Sequence, residues 1–176
     1  MALAGTLTGG GGAQGDALDG PGGLDRWMSD HRELVGDPGP DTPLRVAEFR
    51  SLRDAVRALL GATAERRTLP PDAVALVNDL SAAAPVRVEL DATDPARPVV
   101  RASAGPGSPT IAILAGIARS AIEVVGGPDR DRLRRCEAPR CGRFFLAERR
   151  GTRWCSPACG NRARVARYHE RRRNAP

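Results

Sequence analysis

Four cysteines, spaced as Cys136-x4-Cys141 and Cys155-x3-Cys159 with 13 residues between the pairs, constrain this chain more than any other feature. Two close pairs on either side of a short hairpin deliver four thiolates to one point, the tetrahedral donor set of a structural zinc ion. A closed set of four sulfurs leaves no position for water or substrate, so a catalytic metal is not expected, and no H-E-x-x-H accompanies it. Thiolates also take iron–sulfur clusters, but a hairpin followed by a helix favours zinc. Two disulfides would need an oxidising compartment for which the sequence carries no address.

The residues around the cysteines fill in this unit. Gly142 suits a tight turn after the first pair. "RFFL" reads as a strand, "ERRGT" as a turn and "RW" as the returning strand. Ser156 caps a helix beginning at Pro157, with Cys159 in its first turn. The result is a treble-clef-like or ribbon-like finger with Phe144, Phe145 and Trp154 as its core. A segment this small depends on its metal to fold, since binding contributes about 10 to 16 kcal/mol in finger peptides.

Charge is concentrated in the same region. From residue 130 onward there are 15 arginines against Asp131, Glu137, Glu148 and Glu170, a balance of +11, whereas residues 1–129 carry 12 arginines and 17 acidic residues. With four thiolates and Zn2+ counted, the finger stays near about +9. Such an excess points to an acidic partner, of which nucleic acid is the usual one. At 100° per residue from Cys159, Ala163, Ala166 and Glu170 lie nearest the metal, Gly160, Arg164, Arg167 and Arg171 share one stripe, and Asn161, Val165, Tyr168 and Arg172 lie beside it. Arginine binds phosphate or guanine and asparagine pairs with adenine, so Asn161, Arg162, Arg164, Arg167, Tyr168 and Arg171 are the candidate nucleic-acid contacts. Asn161 and Arg162 have a second reading as donors to thiolate sulfur, and both readings stay open.

Upstream the chain reads as α+β, with a mainly helical domain and one small β-hairpin. Residues 1–23, with the Gly9 to Gly12 run and "DGPGG", are expected to be mostly flexible, apart from a short strand near residues 3–7. Residues 24–128 form the first domain. Its expected helices cover Leu24 to Val35, then a run capped by Thr42 and started by Pro43 that ends at Gly61 or one turn later, then one from Pro71. Val86, Val88 and Leu90 alternate with charges and pair with Val99-Val100-Arg101. A last helix after Ser108-Pro109 has Ile111, Leu114, Ala118, Ile122 and Val125 as its buried stripe. Gly126-Gly127-Pro128 then marks a boundary to the finger, residues 129–176.

Nothing in the first domain assembles a catalytic constellation, so no enzyme is expected. His31 stands alone as a solvated helix residue, and Arg50, Arg53 and Arg57 form a solvated face. The amino terminus lacks the features of a signal peptide, and no segment has about 18 uninterrupted apolar residues, which predicts a cytoplasmic, nucleoid-associated protein without a membrane anchor.

Cys159-Gly160-Asn161-Arg162, preceded by Trp154-Cys155-Ser156 and by Cys136 and Cys141 with Phe144-Phe145-Leu146, resembles the CGNR zinc finger over residues 133–173. In that family the finger follows an ABATE domain, which Ala4-Gly5-Thr6-Leu7, the Trp27 segment and "FRSLRDAVRALL" resemble upstream. Gly5 stands where the family tends to have Asn, Ala147 where it tends to have Asp, and the hairpin turn is shorter. The resemblance implies a bacterial, stress-linked transcription regulator whose finger binds double-stranded DNA and whose first domain senses a small-molecule effector at residues it does not identify. Because one short helix reads only a few base pairs, a homodimer is expected as well. The alternatives are an RNA-binding or ribosome-associated zinc protein, in which Tyr168 and Trp154 stack on bases, and a protein-interaction module.

Overall fold

A computed structural model describes residues 1–8, 15–36 and 45–173. A 3-10 turn at Leu3–Thr6 leads into β1 (Leu7–Thr8), which pairs antiparallel with β2 (Gly15–Asp16). Helices α1 (Gly23–Asp30), α2 (Arg32–Val35), α3 (Val46–Ala64) and α4 (Pro71–Ala82) follow. An antiparallel hairpin of β3 (Val86–Asp91) and β4 (Val99–Ala104) precedes α5 (Pro109–Gly126). A 3-10 turn at Pro128–Arg132 then leads to β5 (Leu133–Arg135), β6 (Phe144–Leu146) and α6 (Pro157–Arg173). The whole is α+β: a helical body with a small hairpin, followed by a cysteine-bearing finger.

Helix α3 is the centre. Phe49, Leu52, Val56, Leu59 and Leu60 recur at helical spacing and are buried against α4 and α5, through Val77, Leu114 and Ala118 among others. Thr42 and Pro43, expected to start this helix, lie outside the described residues; Arg45 is extended and the helix runs from Val46. Pro109 opens α5 after an extended Ser108, as expected. Its buried face is Ile113, Leu114, Ala115, Ala118 and Ala121, whereas Ile111 and Ile122 are exposed. The helix is wedged between α3 and α4, and the small residues Ala115, Ala118 and Ala121 let it approach closely, which rotates the stripe away from Ile111 and Ile122. This helix is long and apolar enough to cross a membrane, but its alanine-rich face is core.

The amino-terminal segment departs from expectation for a reason that residue composition hides. Leu3, Ala4 and Leu18 are core residues, and three arginines of α3 clamp the segment in place. Arg53 pairs with Asp16, Arg50 donates to the Leu18 carbonyl, and Arg57 donates to the Ala4 and Leu7 carbonyls at 2.6 and 3.1 Å. Hydrogen bonds from buried guanidinium groups satisfy carbonyls that an irregular segment would otherwise leave unpaired. The predicted solvated arginine face is thus an internal clamp. The predicted single helix over Leu24 to Val35 is also broken, at His31, whose ring stacks on Trp27 with centroids 5.0 Å apart and whose Nδ1 lies 2.9 Å from the Trp27 carbonyl oxygen.

The β3–β4 hairpin has the predicted alternation but covers nothing. Val88, Leu90 and Val100 are each about 70% exposed. In the antiparallel register Val88 faces Ala102 and Leu90 faces Val100, so these side chains share one face.

Candidate metal centre

The first cysteine pair sits in a knuckle between β5 and β6. The Cys136 N–H donates to the Arg143 carbonyl at 2.8 Å and the Cys141 N–H to the Ala138 carbonyl at 3.1 Å. Arg140 and Gly142 take positive φ, 60° and 64°, to make the turn. Here β6 pairs with β5, in the register Leu133↔Leu146 and Arg135↔Phe144. The expected returning strand at Arg153-Trp154 is absent; that stretch meets the knuckle through the Glu137 N–H to Arg153 carbonyl bond and an Arg153–Glu137 ion pair.

The reason lies in burial. Leu133 is fully buried in the core of the helical body, and Phe144 and Leu146 pack there too, with Phe144 beside Gly61 and under the Arg57 guanidinium. Phe144 therefore leaves the finger core that the sequence had assigned to it, and Phe145 and Trp154 stay with the cysteines.

The second pair is placed by α6. Ser156 Oγ accepts the Cys159 N–H at 3.3 Å, a cap that fixes Cys159 in the first turn, while the Cys155 N–H points at Cys136 Sγ over 3.4 Å. All four Sγ atoms lie within 4.8 Å of one another, and the Cys141–Cys155, Cys155–Cys159 and Cys159–Cys141 separations are 3.7, 3.6 and 3.7 Å. A sulfur tetrahedron around zinc, with Zn–S of about 2.3 Å, has edges of about 3.8 Å. Disulfides would need about 2.05 Å, and all four cysteines are free. The donor set therefore fits a structural zinc ion, held closed by Cys136, Cys141, Cys155 and Cys159.

The thiols are not equivalent. Hydrogen bonding from Ser156 holds Cys159 down at about 6, while burial pushes Cys155 up to about 12. Crowded thiols resist ionising together without a cation among them, and zinc is what makes four thiolates compatible.

Two arginines add positive charge to the cluster. Arg162 donates from Nη2 to Cys159 Sγ at 3.1 Å, and Arg143 hydrogen-bonds Cys141. Asn161 is exposed. Gly160, placed with the arginine stripe from the sequence, faces inward instead: a Cβ there would lie 3.2 Å from Trp154 Cε3. The exposed stripe of α6 accordingly begins at Arg164 and continues through Arg167 and Arg171. Arg167 also covers the Trp154 ring, and Arg172 covers Tyr168. Cys159, Gly160 and Ala163 form the buried side of this helix. The sequence missed Arg143 as a thiol partner; its position two residues after Cys141 was the available signal.

The ABATE family model, described as "Putative stress-induced transcription regulator", matches residues 1–128, and the CGNR zinc finger model matches residues 132–172. No curated protein matches the chain significantly.

Proposed function

The chain belongs to the ABATE family and carries a CGNR zinc finger, and from that premise we propose that it is a zinc-dependent transcription regulator that binds double-stranded DNA through α6. Neither family is an enzyme family, and action at the nucleoid is part of the same reading. The observation that carries it is the two-sidedness of α6. One side is fixed to the cysteine cluster through Cys159 and Ala163; the other exposes Arg164, Arg167 and Arg171. A rigidly held helix with a row of guanidinium groups suits a major groove or its flanking phosphates.

Duplex DNA is favoured over RNA because the aromatic platform that single-stranded RNA needs is small. The Trp154 ring is covered by Gly160 and Arg167, which leaves Tyr168 as the exposed aromatic of α6. A second copy of the chain would place two such helices on one site, and the exposed apolar face of β3–β4, left uncovered by any element of the helical body, is the surface available for that pairing.

A gel shift at about 150 mM salt, with the chain's own promoter region and a structured RNA as competitors, tests the reading. Preference for the duplex that is lost in Arg164→Ala/Arg167→Ala supports it; equal affinity of the variant and the wild type for DNA would sink it.

A further inference from the structure

Trp27 keeps only 5% of its surface exposed, yet its indole N–H meets no acceptor among the described residues. Buried donors are nearly always paired, because an unpaired one has given up water for nothing. The residue is also a wall between two hollows. On one side is a chamber of about 270 Å³ whose lining includes Leu3, Val56, Leu60, Ile113 and Ile117. On the other is an open cleft of about 470 Å³ bordered by Thr6, Asp30, His31 and Arg143.

The mouth of the first chamber is unusual. Its lip is α2, a single turn that buries none of its own residues, and Leu34 stands there 77% exposed. Opposite it, Gly116 of α5 lines the opening, and a Cβ at that position would touch nothing within 4 Å. No side chain lining this chamber is charged.

We infer that Trp27 and this chamber form a binding site for a compact, uncharged and mostly apolar molecule carrying one hydrogen-bond acceptor, such as a ketone, ester or lactone, which accepts the Trp27 indole N–H and is covered by Leu34. The chamber lies at the small end of ligand sites and suits a molecule of about ten non-hydrogen atoms. A charged ligand is disfavoured because nothing in the lining side chains would compensate its desolvation. The route outward is physical: beyond Trp27 lies the cleft that Arg143 borders, and Arg143 hydrogen-bonds Cys141 of the finger. The site itself stands whether or not α6 touches DNA; only its role as an effector pocket rests on the regulator reading.

The test uses the full zinc-loaded chain without DNA. The sequence has two tryptophans, so 1H–15N spectra contain two indole signals, with Trp154 as the internal control. Acetophenone and cumene serve as probes, since they match in shape and differ in the acceptor. Acetophenone is expected to move the Trp27 indole proton and leave Trp154 in place, and to bind about 5-fold tighter than cumene, the difference one neutral hydrogen bond makes. Trp27→Phe should remove that preference. Gly116→Leu, which meets no atom that would strain the helix, should block both probes while the backbone spectrum stays folded. An unmoved Trp27 signal at about 10-fold molar excess over a millimolar protein sample, equal affinity for the two probes, or unchanged binding by Gly116→Leu would overturn the inference. Positive binding together with a failed gel shift would remove the regulator reading and leave the pocket.

Discussion

Arg53 donates from Nη1 to Asp16 Oδ2 over 2.6 Å, joining the middle of α3 to β2 across 37 positions of sequence. Arg53 is almost fully buried, and Asp54 is its only other carboxylate partner among the described residues. Removing the Asp16 charge leaves a buried guanidinium underpaired, so Asp16→Asn is expected to lower stability by about 2 kcal/mol. Urea unfolding at neutral pH measures this, and an unchanged midpoint would show that the clamp is not a stabilising contact.

The same pair sets an acid limit. Burial works to raise the Asp16 carboxyl, but the Arg53 guanidinium and the Leu18 N–H outweigh it and hold the group below its ordinary value. A carboxyl with a depressed folded-state value stabilises the fold above the unfolded value of about 3.9 and loses that contribution as pH falls through the folded value. The stability gap between wild type and Asp16→Asn should therefore be full at pH 6 and shrink below about pH 4. A gap independent of pH would contradict the ion pair.

Much of this architecture is legible in the chain, and the failures have a common cause. Helices α3, α4 and α5, the β3–β4 hairpin and the convergence of the cysteines follow from local rules: apolar period, Ser-Pro starts, close cysteine pairs. The roles of Arg50, Arg53 and Arg57 do not, because their partners lie 31 to 53 positions away. Spacing alone makes them look like a solvated face. Leu133 and Phe144 are similar: they read as parts of the finger, and only the tertiary arrangement shows them buried against α3. In the finger, Gly160 was misplaced because helical angles ignore the bulk of Trp154.

That shared burial refines what metal removal should do. With Leu133, Phe144 and Leu146 held in the core, β5–β6 is expected to stay docked after chelation. Helix α6, which buries only Cys159, Gly160 and Ala163, should melt, since a polar helix of this length is marginal without packing. Chelation should release one zinc per chain, with partial loss of far-ultraviolet helix signal and new protease cuts confined to residues 147–173. Unchanged ellipticity and cleavage after complete metal removal would refute the dependence.

Gly160 offers a test that does not touch a cysteine. Its inward position brings an added Cβ to 3.2 Å from Trp154 Cε3, and Gly160→Val puts two further methyl groups against a ring that must stay on the cluster. Overpacking of this kind costs about 1 to 3 kcal/mol. It should appear as a zinc affinity roughly 10-fold or more below wild type, measured by competition with a chromogenic chelator. Wild-type zinc affinity in Gly160→Val would mean that Trp154 does not brace the site.

The last prediction separates two arginine roles on one helix. Arg162 reaches Cys159 Sγ at 3.1 Å, so its guanidinium offsets thiolate charge, whereas Arg164 and Arg167 stand on the exposed stripe. Losing a partner of a metal ligand typically costs 10- to 100-fold in metal affinity, and Arg162→Ala should show a loss of about that size. Arg164→Ala/Arg167→Ala should keep its zinc. Its DNA affinity should instead fall, and the slope of log affinity against log salt should flatten by about 1 for each phosphate contact removed. If Arg162→Ala retains zinc normally and abolishes DNA binding at saturating metal, Arg162 belongs with the DNA contacts. The hydrogen bond to Cys159 would then be incidental to the finger's stability.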